Sequence, residues 1–118
     1  MGKRSRRRGA EQLAAPESRY EDAEGGALVL RGSMTPATRA EYAKVRAGGL
    51  NQEDAWQRSV EFLFERLAVR WEIAGADPLE RQRDLLARYR FARGDERAWI
   101  REVLRMHLAA HFPDVEAP

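Results

Sequence analysis

Apolar side chains recur every three or four residues between positions 52 and 74, which is the period of an α-helix. Asn51, with an acidic residue three positions later at Asp54, resembles a capping box, and the pattern continues unbroken to Gly75. The pattern therefore predicts one long central helix over residues 52–74, about 34 Å in length. One stripe of this helix is apolar and is expected to face the core: Trp56, Val60, Leu63, Leu67, Trp71 and Ala74.

Three shorter helices are predicted from residues that start and stop helices. A capping side chain precedes each of them, and in two of the three a proline occupies the first helical position. Glycine or a Phe-Pro pair then ends the helix. We expect these helices over residues 36–47, 78–92 and 96–111, capped by Thr35, Asp77 and Asp95.

These elements predict an all-α fold. Because connections of about three to four residues join the helices, consecutive helices are expected to be neighbours in a small single-domain array or bundle of about four helices. Residues 1–19 hold one large apolar side chain, so we expect a disordered basic tail there and a helical domain over residues 20–118. Residues 28–30 predict a short extended segment. We favour a segment that lies on the helices over a strand, because the rest of the chain offers a strand no obvious partner.

The composition narrows the class of protein. A chain of 118 residues has room for one domain. Cysteine is absent, which excludes a disulfide framework, a thiolate zinc site and a cysteine nucleophile, and suits a reducing compartment. No apolar run approaches the length of about 18 residues that a membrane span needs, and no apolar stretch follows the basic N-terminus as in a secretory signal. We therefore expect a cytoplasmic protein with no membrane partner.

Candidate catalytic and metal-ligating groups are sparse. His107 and His111, four positions apart, can share one helical face, and Asp114 and Glu116 are the nearby groups that would have to complete a metal site. We interpret both histidines instead as packed near a helix C-terminus, where the helix dipole favours their positive charge. Gly-rich phosphate loops and a Gly-x-Ser-x-Gly elbow are absent. The sequence therefore predicts no enzyme, no cofactor, no metal and no small-molecule substrate.

The net charge of +2 is unevenly distributed. Residues 1–19 carry six basic and two acidic residues, a net charge of +4, whereas residues 20–118 carry fifteen and seventeen, a net charge of −2. A flexible basic arm can neutralise phosphates without recognising a base sequence. The preceding predicted helix ends in several arginines, and the last helix carries more of them, so this pair of helices resembles a helix-turn-helix. The alternative function is therefore nucleic-acid binding, with contacts from Lys3, Arg4, Arg6, Arg7, Arg8, Arg97, Arg101 and Arg105.

The long predicted helix carries a second apolar flank, formed by Phe62, Val69 and Ile73. Soluble monomers rarely leave such a patch in water, and Leu28 and Leu30 are the remaining apolar residues that either cover it or help a partner to do so. These five residues are the candidate protein interface. We therefore expect a non-enzymatic protein-interaction module, of the adaptor or assembly kind, whose partner is another protein or a second copy of the chain.

Overall fold

The computed structural model describes residues 16–118 and shows an α+β fold, so the expectation of an all-α helical bundle is wrong. Within these residues, three strands form one antiparallel sheet and four helices accompany it. The strands are β1 (Glu17–Glu21), β2 (Ala27–Arg31) and β3 (Ala68–Glu72). The helices are α1 (Pro36–Ala47), α2 (Gln52–Leu67), α3 (Gln82–Arg90) and α4 (Gly94–His111).

The extended segment at residues 28–30 belongs to the central strand of the sheet, whose order is β1–β2–β3. β1 and β2 form a hairpin, and the Asp22 carboxylate fixes its turn by accepting hydrogen bonds of 2.8 Å from the N–H groups of Glu24 and Gly26. The expectation that this segment lies on the helices was wrong because the sequence pattern revealed neither partner strand of β2. One strand begins at Glu17, inside the predicted tail, and the other lies inside the predicted long helix; residues 1–15 are outside the described part.

The predicted helix over residues 52–74 ends at Leu67, where Ala68 takes an extended backbone and β3 begins. A β-bulge explains why the helical period continues past this point. Leu30 pairs with Ala68 and Leu28 pairs with Trp71, so one extra residue is inserted in β3 and two inward positions lie three residues apart. A regular strand would place them two or four residues apart, whereas a spacing of three also fits a helix.

Of the other three predicted helices, one has the predicted bounds and two begin at different residues. α1 has the predicted bounds, and the Thr35 hydroxyl accepts a hydrogen bond of 3.1 Å from the N–H of Thr38. α3 begins only at Gln82, because Leu79 pairs with Trp71 as an extended segment instead of joining the helix. α4 begins at Gly94, and the Glu96 carboxylate accepts a hydrogen bond of 3.0 Å from the Arg93 N–H at its start.

The core lies between the helices and the inner face of the sheet. Its aromatic centre joins three elements, because the Phe64 ring stacks on Tyr89 with centroids 4.9 Å apart and meets Trp71 edge-on at 5.5 Å. Such pairs add about 0.5–1.5 kcal/mol beyond the area they bury. The largest fully buried side chains include Phe64, Phe112, Leu28, Leu30, Leu63, Leu67, Ile100, Leu104 and Leu108.

The outer face of the sheet carries a chain of alternating charges. Glu72 accepts a hydrogen bond of 2.9 Å from Arg19 and one of 2.8 Å from Arg70, and these two bonds lower the pKa of Glu72 to about 2. Glu21 extends the chain at the Arg19 end, and Glu80 extends it at the Arg70 end. Charged side chains therefore cover Ala27 and Val29, which are the apolar residues of β2 on this face.

Candidate protein-interaction surface

A groove of about 600 Å³ runs between the end of α1, one face of α2, and the ends of α3 and α4 on either side of their connecting turn, which contribute Tyr89 and Arg97. Its apolar floor consists of Val45, Phe62 and Tyr89. Phe62 is partly buried, with its ring centroid 6.1 Å from that of Tyr42 and the Arg66 guanidinium 4.7 Å above it. The remaining lining residues are polar or glycine: Lys44, Gly48, Gly49, Asp54, Gln57, Arg58, Glu61, Glu65 and Arg97.

The loop between α1 and α2 closes one side of the groove, and its geometry depends on glycine. Gly49 has a φ of +105°, a conformation that costs other residues energy. A Cβ at this position would lie 3.0 Å from the backbone nitrogen of Ala55, so the loop packs tightly against the first turn of α2. The Leu50 N–H then donates a hydrogen bond of 2.9 Å to the Asp54 carboxylate, which holds the loop in place.

Charges of both signs line the groove. Asp54 pairs with Arg58 at 2.8 Å, and its pKa is lowered first by the hydrogen bond from the Leu50 backbone and then by Arg58. Glu61 pairs with Arg90 at 3.1 Å. Across residues 16–118, neither Lys44 nor Glu65 forms a side-chain ion pair, so one positive and one negative group at the groove are available to a ligand.

Two large apolar side chains project into solvent from the loops next to residues that line this groove. Leu50 is 89% exposed and directly follows the lining residue Gly49 in the chain. Phe91 is 85% exposed and lies two positions after Tyr89, in the turn between α3 and α4. Singly exposed apolar residues are normal, whereas exposed apolar residues that gather into one patch are typical of a protein-binding surface.

The five residues predicted as an interface do not form one surface. Leu28 and Leu30 are 0% exposed on the inner face of β2, so a partner cannot reach them. Because the long helix ends at Leu67, Phe62 is at the groove, Val69 is at the bulge of β3, and Ile73 lines a separate cavity of about 360 Å³. Of the predicted set, Phe62 alone lines the groove.

The arginines proposed for nucleic-acid contact are engaged within the chain where the structure describes them. Arg97 donates a hydrogen bond of 2.9 Å to the Arg90 carbonyl and lies over the Tyr89 ring. Arg101 and Arg105 both donate to the backbone oxygen of Pro118, at 3.3 and 2.7 Å, and the Arg101 guanidinium also lies 4.4 Å from the Trp56 ring centroid. The other predicted contacts, Lys3, Arg4, Arg6, Arg7 and Arg8, lie outside the described residues.

His107 and His111 attach α4 to the two strands of the hairpin. His107 is fully buried and uses both ring nitrogens: Nε2–H donates to the Arg31 carbonyl and Nδ1 accepts from the Tyr20 hydroxyl, each at 2.8 Å. Because a carbonyl can only accept, this bond fixes the tautomer and leaves neither nitrogen for a metal. Burial lowers the pKa of His107, and the bond to Arg31 acts in the opposite direction.

His111 lies beside His107, with ring centroids 4.5 Å apart, and its Nε2 is 2.9 Å from the Ser18 hydroxyl. Asp114 and Glu116, considered above as further metal ligands, pair instead with Arg39 and Arg46, each at 3.0 Å. Across the described residues, no group of three metal-ligating side chains is present.

Sequence reasoning missed the groove because its two halves come from elements that are distant in the chain. One signal was available, since Leu50 is a large apolar residue between a glycine pair and a helix cap, where a loop has no core to pack against.

Within residues 16–118, no helix has an apolar stretch that would cross a bilayer. No family model, curated protein or solved structure shows significant similarity to the chain.

Proposed function

We propose that this chain is a non-enzymatic protein-interaction module that binds a partner protein at the groove between α1, α2 and the α3–α4 turn. The proposal rests on two almost fully exposed side chains, Leu50 and Phe91, which closely follow the lining residues Gly49 and Tyr89 in the chain, and on the aromatic lining residues Phe62 and Tyr89. Interface energy is usually concentrated in a few apolar and aromatic anchors surrounded by polar groups. In this proposal Leu50 and Phe91 act as the anchors, and the charged residues that line the groove form the polar surround.

The charges at the groove favour a protein over a polyanion. Three basic side chains, Lys44, Arg58 and Arg97, line it together with three acidic ones, Asp54, Glu61 and Glu65. A nucleic-acid backbone would meet three carboxylates there, whereas a protein can match a mixed rim with complementary charges of its own. The absence of cysteine suits a reducing compartment, and we propose that the protein acts in the cytoplasm.

The test uses the two exposed anchors, whose replacement should leave the core intact. Leu50→Ser combined with Phe91→Ser removes both apolar side chains, and Met106→Ser is the matched control because Met106 is also an exposed apolar residue, at 52%. A photo-crosslinking amino acid at position 50 or 91, in the native host, should capture a defined partner, whereas one at position 106 should not. Purified partner should then bind the wild type and the Met106→Ser variant equally, and bind the double variant at least about tenfold more weakly.

Equal binding by all three forms would contradict a role for the groove. The nucleic-acid alternative rests on the basic residues between Lys3 and Arg8, and a salt series with duplex DNA or RNA decides it. Binding that falls steeply with salt and is lost when these five residues are replaced by serine would favour the alternative. Binding absent at low salt would remove it.

A further inference from the structure

β1 forms one edge of the sheet, and the hydrogen bonds of the hairpin show which of its backbone groups point outward. Asp22 N–H donates to the Gly26 carbonyl at 3.0 Å, and Gly32 N–H donates to the Pro16 carbonyl at 2.7 Å. Because backbone groups alternate sides along an antiparallel strand, those of even-numbered residues face β2, and those of Glu17, Arg19 and Glu21 face away. Among residues 16–118, none of these outward N–H and C=O groups has a hydrogen-bond partner.

The opposite edge of the sheet is partly closed. Trp71 and Leu79 exchange two backbone hydrogen bonds of 2.9 Å on the side of β3 that faces away from β2. The β1 edge is therefore where the sheet, as far as it is described, can accept another strand by main-chain hydrogen bonding.

The charges on β1 alternate as Glu17, Arg19 and Glu21 on the outer face of the sheet, and this pattern is complementary to itself in an antiparallel arrangement. We propose that a second copy of this chain pairs with β1 across a two-fold axis, with Tyr20 opposite the Tyr20 of that copy. Arg19 then faces the partner's Glu21, and Glu21 faces the partner's Arg19. Each of these two pairs also exchanges two backbone hydrogen bonds, because both residues point their backbone groups outward.

Other registers are less favourable. Pairing centred on Arg19 would place two arginines opposite each other and Glu17 opposite the partner's Glu21, and like charges directly across a ladder repel. Pairing centred on Ser18 would match Glu17 with the partner's Arg19, but it would replace the tyrosine pair with two serines, which bury little area.

Tyr20 is already fixed in an orientation that suits the proposed register. Its hydroxyl donates to His107 Nδ1 at 2.8 Å, and its ring meets the His107 ring edge-on with centroids 5.6 Å apart. The side chain is partly buried against the core, so its remaining exposed surface is held in place and loses little rotamer freedom on pairing. Tyrosines opposite each other at a non-hydrogen-bonded position are a favourable cross-strand pair.

Arg19 can serve both chains. Its Nη1 donates to Glu72 at 2.9 Å and its Nε lies 3.5 Å from Glu21 of the same strand. A guanidinium has five N–H donors, so it can keep the bond to Glu72 while it pairs with the partner's carboxylate. No β1 residue lines the groove, so the β1 edge is a separate surface. This proposal can therefore be tested independently of the proposed function.

The test is sedimentation equilibrium on the full chain with charge-exchanged variants. The wild type should show a concentration-dependent dimer that weakens with salt. Glu21→Arg places two arginines opposite each other, and Arg19→Glu places two glutamates opposite each other, so each variant alone should dissociate at least about tenfold more readily. An equimolar mixture of the two variants should restore a one-to-one dimer, because one chain then carries arginine at both positions 19 and 21, and the chain it faces carries glutamate at both.

Glu17→Arg is the matched control, because Glu17 lies on the same face of β1 but opposite no charge in the proposed register. It should leave the dimer unchanged, and circular dichroism should show that every variant folds. A wild-type chain that stays monomeric up to about 1 mM would overturn the proposal and indicate that the charges protect the edge from pairing. Loss of the dimer in Glu17→Arg but not in Glu21→Arg would overturn the register, and a mixture that fails to restore the dimer would overturn the pairing.

Discussion

The two faces of the sheet are built from alternate residues of the same strands, yet different forces stabilise them. On the inner face, Leu28, Leu30 and Trp71 are at most 2% exposed beneath the helices. On the outer face, Arg19 and Glu72 join a chain of ion pairs in which the Arg19 side chain is still 47% exposed. Burial of apolar area contributes roughly 25 cal/mol per Å², whereas exposed ion pairs contribute about 0–1 kcal/mol each. Most of the stability therefore comes from the inner face, while the outer face presents paired charges to water.

The strongest way to test this comparison is to truncate neighbouring residues of β3 that point to opposite faces. Trp71→Ala removes a large ring that contacts Phe64 and the Arg88 guanidinium, and it should lower the free energy of unfolding by about 3–5 kcal/mol. Arg70→Ala, one position away, should have a much smaller effect, because its side chain is 36% exposed and fills no core space. Urea denaturation of both variants measures the difference, and similar losses would show that the two faces are not energetically distinct.

The core between the sheet and the helices was partly predictable from sequence. Four residues of the predicted inward stripe are buried, namely Val60, Leu63, Leu67 and Trp71. Trp56 is half-buried, and Ala74 is exposed beyond the end of β3. The strand itself was missed, because the bulge at Val69 gives β3 a spacing that also fits a helix, and single-sequence periodicity cannot distinguish the two. On the last helix, His107 was interpreted as a packed residue and is fully buried, whereas its neighbour Met106 is 52% exposed.

The candidate site was less predictable than the core. A groove depends on the distance between α1, α2 and the α3–α4 turn, and no local pattern encodes that distance. The strand β1 was equally hard to predict, because it has the polar composition of a tail. It is also held by contacts to a distant part of the chain, such as the hydrogen bond from Tyr20 to His107 on α4. Tertiary contacts, which a single sequence does not display, decided both features.

A second test concerns the polar link on the inner face between α4 and the hairpin. His107→Leu keeps an apolar side chain in the core but leaves the Tyr20 hydroxyl and the Arg31 carbonyl without their partner, so we expect a loss of about 1–3 kcal/mol. Tyr20→Phe is the milder control, because it removes one of these bonds and keeps the other. A stability unchanged by His107→Leu would show that the link contributes nothing to the fold.

The same histidine predicts a pH dependence. Burial lowers its pKa in the folded protein below the ordinary value of 6.5, so the unfolded chain binds the proton more readily. The contribution of His107 to stability is therefore fully present above pH 6.5 and is lost as the pH falls from there towards the folded pKa. Urea denaturation at a series of pH values should show this loss in the wild type and a flatter profile in His107→Leu. Parallel profiles would contradict the assignment.

The outer face should respond to acid in a lower pH range and with a smaller change. Because Arg19 and Arg70 lower the pKa of Glu72 from its ordinary 4.5 to about 2, its ion pairs stabilise the fold above pH 4.5 and are lost as the pH falls towards 2. Glu72→Gln should remove this part of the acid dependence, and its effect at neutral pH should fade in about 1 M salt. A carboxyl titration by NMR that places Glu72 near 4.5 would contradict the network.

The smallest expected effect on stability concerns the two exposed loop residues Leu50 and Phe91, which lie outside the sheet. Leu50 and Phe91 are apolar like the core residues, but their side chains are 89% and 85% exposed. They therefore make few contacts in the folded protein that a substitution could remove. Leu50→Ser and Phe91→Ser should each change the free energy of unfolding by no more than about 0.5 kcal/mol. Thermal and urea denaturation measure this directly. A loss of about 2 kcal/mol or more would mean that the side chains pack within the fold, and weaker partner binding by these variants would then reflect damage to the domain. Unchanged stability makes any loss of binding attributable to the surface itself.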